Sequence, residues 1–301
     1  MSILEKVKEL RDITGAGIQD CKTALSENNE DIDLAIEFLR KKGIAKAAKK
    51  STRGATEGLI SISIANNKAS IVEINSETDF VSKNNEFIQF CEKVANLATE
   101  VSTLNELLEK NFDEENKVSD FLTNLIAKIG ENLKIRRLEV ISDTDQYASY
   151  IHNKQTEHSG NLGVLLNFKS NNFEKCKNFA NQICMHIAAS SPVALDEDGI
   201  DKSFIEKEKE IIKDQLLNEG KKTEMIDKII LGKINKVIQE NTLLNQKWVM
   251  NPDLSVKKAI EQFNKDSSEN FSVKKFIRFK VGEGLEAKKD DFANEVASLT
   301  K

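Results

Sequence analysis

The hydrophobic pattern changes period several times along the chain, and those changes mark its elements. Through residues 2–43, apolar positions recur at helical spacing in three short runs: Ile3, Val7, Leu10 and Ile13; Ile18, Cys21 and Leu25; Ile32, Ala35, Ile36 and Leu39. Thr14-Gly15-Ala16-Gly17 and Asn28-Asn29 separate them, Asp31 is placed to cap the third, and Gly43 predicts its stop. The period then falls to two. Gly58–Ile64 and Lys68–Asn75 alternate as strands about Asn66-Asn67, which predicts a β-hairpin. Helical spacing returns at Phe87, Phe90, Cys91, Val94, Leu97 and Ala98, again over Leu104–Lys110, and along Val118, Phe121, Leu122, Leu125, Ile126 and Ile129, where Gly130 closes the helix. Leu133–Ile141 reads as a strand.

The next stretch of chain looks like a weak second copy. Ala148–Ile151 and Leu162–Phe168 are strand-like, and a helix carries Phe173, Cys176, Phe179, Ala180, Ile183, Cys184 and Ile187. Asn171-Asn172-Phe173 echoes Asn84-Asn85-Glu86-Phe87. After Pro192, narrow apolar stripes at Ile205, Ile212 and Leu216 and at Ile226, Ile230 and Val237 flank Asn218-Glu219-Gly220. Such stripes in a highly charged background suit an antiparallel helical hairpin projecting into solvent. A helix at Val256–Phe263, a strand at Phe271–Val281 and a short C-terminal helix with Phe292, Val296 and Leu299 complete the chain. The expected class is α+β, with a two-part duplicated core built on antiparallel sheets.

Composition narrows what this scaffold can do. The 301 residues are 39% hydrophobic and 31% charged with only two prolines, which describes a folded chain of two or three domains. A net charge of -5 argues against a general nucleic-acid binder, because phosphate neutralisation needs clustered cations. No apolar run approaches membrane-spanning length, and the first residues open as a helix, so a cytoplasmic location is expected. Four cysteines in apolar helical registers, with no Cys-x-x-Cys pair, predict buried, reduced and inert thiols. The glycine pairs lack the spacing of a phosphate loop, and His152, His158 and His186 are too scattered for a triad. No enzyme, cofactor site or metal site is expected.

Two stretches carry candidate binding chemistry. Arg40 to Arg53 holds seven cations and no carboxylate, which suits either a solvated helix end and linker or a contact with an acidic partner. Thr78-Asp79-Phe80-Val81 lies in the polar connector after the second strand and joins one large aromatic to one carboxylate. Phe80 could tuck under the following helix as a staple. The second copy, however, has no counterpart to this tetrapeptide, so the scaffold does not need it.

These segments carry a resemblance. Thr14-Gly15-Ala16-Gly17 with Asp20-Cys21-Lys22, Lys46-Ala47-Ala48-Lys49-Lys50, Thr78-Asp79-Phe80-Val81, Ala127 through Asn132, Ser149-Tyr150-Ile151-His152, Met185 through Ser190 and Arg278 through Gly284 occur in the order found in bacterial elongation factor Ts. The likeness covers nearly the whole chain. It implies a three-helix unit over 1–53 resembling the ubiquitin-associated fold, core subdomains at 54–141 and at 142–191 with 241–282, a coiled-coil hairpin at 192–240 and a C-terminal helical module at 283–301. The function implied is exchange of guanine nucleotide on the GTPase elongation factor Tu, without direct nucleotide binding. Asp79 and Phe80, flanked by Thr78 and Val81, match the residues that enter the GTPase beside its magnesium site. Lys22, Lys50, Ile129, Gly130 and His152 match further partner contacts. Two departures stand out: the stretch Asn153–Asn161 after His152 is longer than the family's short loop, which makes His158 a competitor, and Trp248 replaces a smaller aromatic. The rival classes are an adaptor using the three-helix unit without exchange activity, and an RNA-associated factor using residues 40–53.

Overall fold

The computed structural model describes residues 2–14, 16–65, 67–219 and 223–285. Helices α1 (Ile3–Thr14), α2 (Ile18–Glu27) and α3 (Ile32–Lys50) pack around Val7, Leu10, Cys21, Ala24, Leu25 and Ala35. Asp31 caps α3 as expected, its carboxylate accepting the N–H of Leu34 at 3.0 Å. The helix does not stop at Gly43, however. Residues 44–50 are mostly alanine and lysine, strong helix formers that continue the ladder. Gly43 instead faces the later helix that carries Ala127: a Cβ built on it would make an ordinary contact with the Cβ of Ala127 at 3.6 Å. The basic stretch is therefore a helix whose cations are largely matched within the chain. Arg40 pairs with Asp120 at 3.3 Å, Lys42 and Lys46 both reach Asp20 at 3.1 and 2.9 Å, and Arg53 reaches Glu77 at 3.5 Å.

Beyond it run β1 (Glu57–Ala65), β2 (Lys68–Ser76), α4 (Asn85–Ala98), α5 (Leu104–Glu109), α6 (Val118–Ile129) and β3 (Lys134–Ser142). A second series comprises β4 (Gln146–Lys154), β5 (Ser159–Lys169), α7 (Phe173–Ser190), α8 (Lys202–Asn218), α9 (Thr223–Asn241), α10 (Val256–Ser267) and β6 (Ser272–Lys280). Helix and sheet are mixed in the α+β manner. Both series have the same plan: a hairpin, a covering helix, and a late strand pairing antiparallel with the hairpin's second strand, β3 on β2 and β6 on β5. The plural sheets expected are in fact one, in the order β3-β2-β1-β5-β4 with β6 beside β5. The halves join where Ile60 and Ser61 pair with Gly160 and Ser159, the two serine hydroxyls 2.6 Å apart. The long loop expected after His152 is mostly strand, because β4 runs to Lys154 and Ile62 donates its N–H to His158 O at 3.0 Å.

Strand alternation sorts the apolar side chains into three cores. Leu59, Val72 and Ile74 face α4 and α6 with Phe87, Phe90, Val94 and Leu125. Val164, Leu166 and Phe168 face α7 and α10, where Phe179 stacks on Phe263 at 4.2 Å. The opposite faces meet each other: Ile60, Ile62 and Ile71 from the first half pack with Tyr147, Ile151, Leu165, Ile277 and Phe279 from the second. All four cysteines are buried and unpaired, and burial raises each thiol's pKa, which suits inert packing residues.

Helices α8 and α9 form their own small core of Ile212, Leu216, Ile226 and Ile234. Replacing Ile205–Val237 by a short turn is therefore expected to leave the rest folded. Cooperative melting of the shortened protein checks this, and its loss would make the hairpin integral to the core. The expected C-terminal helix with Phe292, Val296 and Leu299 lies outside the described residues.

His186 supports the base of this hairpin. Its Nδ1 accepts the N–H of Val249 at 3.3 Å, so its proton sits on Nε2 and is donated to Gln246 Oε1 at 3.0 Å. Burial holds its pKa below the usual imidazole range. The unfolded chain takes up a proton here as pH falls through about 6.5 while the folded protein does not. Stability should accordingly fall from neutral pH down to the depressed folded pKa. His186→Gln should flatten that slope in melting temperature measured from pH 7 to 5.

Candidate functional site

Residues 77–84 join β2 to α4 and carry Thr78-Asp79-Phe80-Val81. Both ends are fastened. Val81 is buried in the first-half core and opens a single 3-10 turn, Val81–Lys83. Asn84 caps α4, its Oδ1 accepting the N–H groups of Glu86 and Phe87 at 2.9 and 3.2 Å. On the other side Thr78 donates its N–H and its hydroxyl to the two carboxylate oxygens of Glu131, at 3.0 and 2.7 Å. Between these anchors the chain turns outward. Phe80 is 77% exposed, and the Lys83 ammonium lies 5.8 Å from its ring centre while pairing with Asp79 at 3.1 Å. The staple under α4 is thus Val81, and Phe80 stands in solvent.

A second connector braces the first. Gly130, with φ of 89°, ends α6 in the left-handed conformation that a side chain resists, and accepts a hydrogen bond from Lys50 Nζ at its carbonyl. Asn132 donates its N–H to Glu77 at 2.6 Å and its side-chain amide to Arg53 O at 2.8 Å. Lys50, Gly130 and the tetrapeptide are thereby brought into one network, with Ile129 packed half-buried on the adjoining core. Lys22 and His152 stand apart: Lys22 is exposed on α2, and His152, exposed on β4, has its Nδ1 3.1 Å from the Tyr150 hydroxyl. Among the described residues neither bonds to the loop. The bracing by Glu77 and Glu131 emerges only in three dimensions. Its single sign in the sequence is a carboxylate directly after the helix-ending glycine.

The second half shows what the scaffold alone requires. It passes from β5 to α7 through residues 170–172, and Asn172 caps the helix by accepting the Lys175 N–H at 3.2 Å. The first half spends 77–84 on the same passage. The added length leaves its one ring exposed. It presents that aromatic face beside a carboxylate.

Comparison with known proteins reaches the same region. A family described as Elongation factor TS matches residues 77–283, beginning at this connector. Elongation factor Ts of Clostridium perfringens (strain SM101 / Type A) is 43% identical over 305 residues, covering 99% of each chain. Elongation factor Ts of Clostridium botulinum (strain ATCC 19397 / Type A) is 43% identical over 298 residues, covering 96% of this chain and 95% of its own. Likeness that runs from end to end and takes in the outward-facing loop makes this chain a member of the elongation factor Ts family.

Proposed function

We propose that this chain serves translation as a guanine nucleotide exchange factor, binding GDP-bound elongation factor Tu and promoting GDP release and GTP reloading. The observation that carries this reading is the exposure of Phe80 on a loop pinned at both ends. Burying that ring in the GTPase contributes about 2–3 kcal/mol toward displacing the surroundings of the partner's magnesium. Asp79 accepts hydrogen bonds that otherwise hold the GTPase in its resting form. Magnesium requires near-ideal octahedral geometry, so a small shift of its ligands loosens metal and GDP together. By linkage, the factor by which GDP is weakened equals the factor by which GDP weakens this protein's hold, so incoming nucleotide ends the cycle without covalent chemistry.

The remaining parts fit around that act. The three-helix unit (1–53) serves as a docking module of ubiquitin-associated type, presenting Lys22, and residues 54–141 form the core subdomain with the wedge. Residues 142–191 with 241–282 form the second core subdomain and present His152, and the α8–α9 pair within 192–240 is a coiled-coil hairpin. Ile129 and Gly130 contact the partner beside Phe80, while Lys50 holds Gly130 in place. The test is release of labelled GDP from preloaded elongation factor Tu. Catalytic amounts of this protein should speed release, and binding without acceleration would instead favour the adaptor.

A further inference from the structure

Glu131 holds Thr78, two residues before Phe80, by both donors at once: Oε2 accepts the backbone N–H at 3.0 Å and Oε1 the side-chain hydroxyl at 2.7 Å. One residue therefore has its backbone and its side-chain rotamer fixed by a single carboxylate, a two-point grip with charge-assisted bonds. The grip is reciprocal, because Glu77 accepts the N–H of Asn132 from the same connector at 2.6 Å. Past Thr78, exposed Asp79 and Phe80 are held from the far side, by buried Val81, by the Lys83 N–H donating to Phe80 O at 3.2 Å and by Ser82 donating to Asp79 O at 2.6 Å. Without the grip, the near side keeps only the Ser76 hydroxyl donating to Thr78 O at 2.9 Å, so the backbone ahead of the ring gains freedom and binding has to select among more ring directions.

We propose that Glu131 is a positioning residue for Phe80, setting the direction in which the ring is offered to the partner. This rests on the exchange reading above. It differs from a bracing role for stability alone, since Thr78 is only half-buried and water can satisfy its donors when the carboxylate is removed.

The experiment uses the full chain with GDP-loaded elongation factor Tu, comparing wild type, Glu131→Ala, Glu131→Gln, Phe80→Ala and the Glu131→Ala/Phe80→Ala double variant. Expected for Glu131→Ala is GDP release slower by at least about tenfold, the equivalent of one charged hydrogen bond, with an unchanged melting temperature. Amide hydrogen exchange over residues 77–84 should lose protection. Glu131→Gln, which retains an acceptor for the Thr78 hydroxyl, should recover part of the rate. In the double variant the Glu131 change should add nothing, because there is no ring left to position. Should Glu131→Ala not fold, Thr78→Val removes one arm of the grip and takes its place. Full exchange by Glu131→Ala, or a double variant in which the two losses multiply, overturns the positioning role while leaving the exchange reading intact. Full exchange by Phe80→Ala overturns that reading itself, and the present proposal with it.

Discussion

Replacing Glu73 by alanine should lower stability by about 3–5 kcal/mol, the range for breaking a buried ion pair from one side. Glu73 sits in the middle of β2 with no exposed surface, yet it is fully partnered: Arg136 Nη1 donates to both its oxygens at 2.9 and 3.0 Å, Arg137 Nε at 2.6 Å, and Gly282 N–H at 2.9 Å. The low end of the range applies, because the arginines keep 19% and 31% of their side-chain surface in water and can be resolvated. Burial pushes this carboxyl's pKa up, but the bonds from Gly282, Arg136, Arg137 and Asn75 together outweigh it and hold the pKa below the usual range. A lowered folded pKa means that the contribution is present above the unfolded value of about 4.3 and is lost as pH falls through the folded one. Glu73→Gln should therefore be less stable at neutral pH and lose less on acidification. Denaturant titrations at pH 7 and pH 3 check both, and equal losses for the two proteins would remove Glu73 from the account.

Phe80→Ala should slow GDP release from elongation factor Tu by about 30- to 150-fold, the rate equivalent of 2–3 kcal/mol. Its melting temperature should be unchanged, whereas a ring buried at home would cost about 3–5 kcal/mol on truncation. Asp79→Ala should act in the same direction, and the two effects should be less than additive because neighbours share one rearrangement. The deficit should be largest at millimolar magnesium and should shrink in excess chelator. A deficit unaffected by chelation would remove the metal from the mechanism while leaving the wedge.

Elements governed by local chemistry can be read from the chain with little loss. Periodicity places Val118–Ile129 to the residue, and Asp31 and Gly130 are identifiable as caps by residue type alone. The misreadings have a common cause. Gly43 reads as a stop when only its neighbours are considered, and as a contact once Ala127, far along the chain, is brought against it. The cations of residues 40–53 read as solvated or partner-facing, with no sign of their internal pairs, because Asp20, Asp120 and Glu77 are distant in sequence. Glu73 passes as an ordinary polar position in an alternating strand, although β3 brings two consecutive arginines opposite it. At the site, Phe80 stands out because the second half lacks it. Glu131 does not, since an acidic residue after a glycine usually faces water.

The inner core shared by the two halves also bears on the order in which the chain is made. The first half can complete its hairpin, its covering helices and β3 from residues 57–142 alone. Until β4, β5 and β6 exist, though, Ile60, Ile62 and Ile71 have no second face to meet. Glu73 then waits for Gly282, 209 positions downstream. A growing chain therefore carries a half-finished apolar surface through the synthesis of more than a hundred further residues, the circumstance in which partly folded species associate wrongly. Closure depends on contacts of very long sequence separation and comes last and slowly. The α8–α9 hairpin lies within that interval, and its self-contained core lets it form early without delaying the strands on either side.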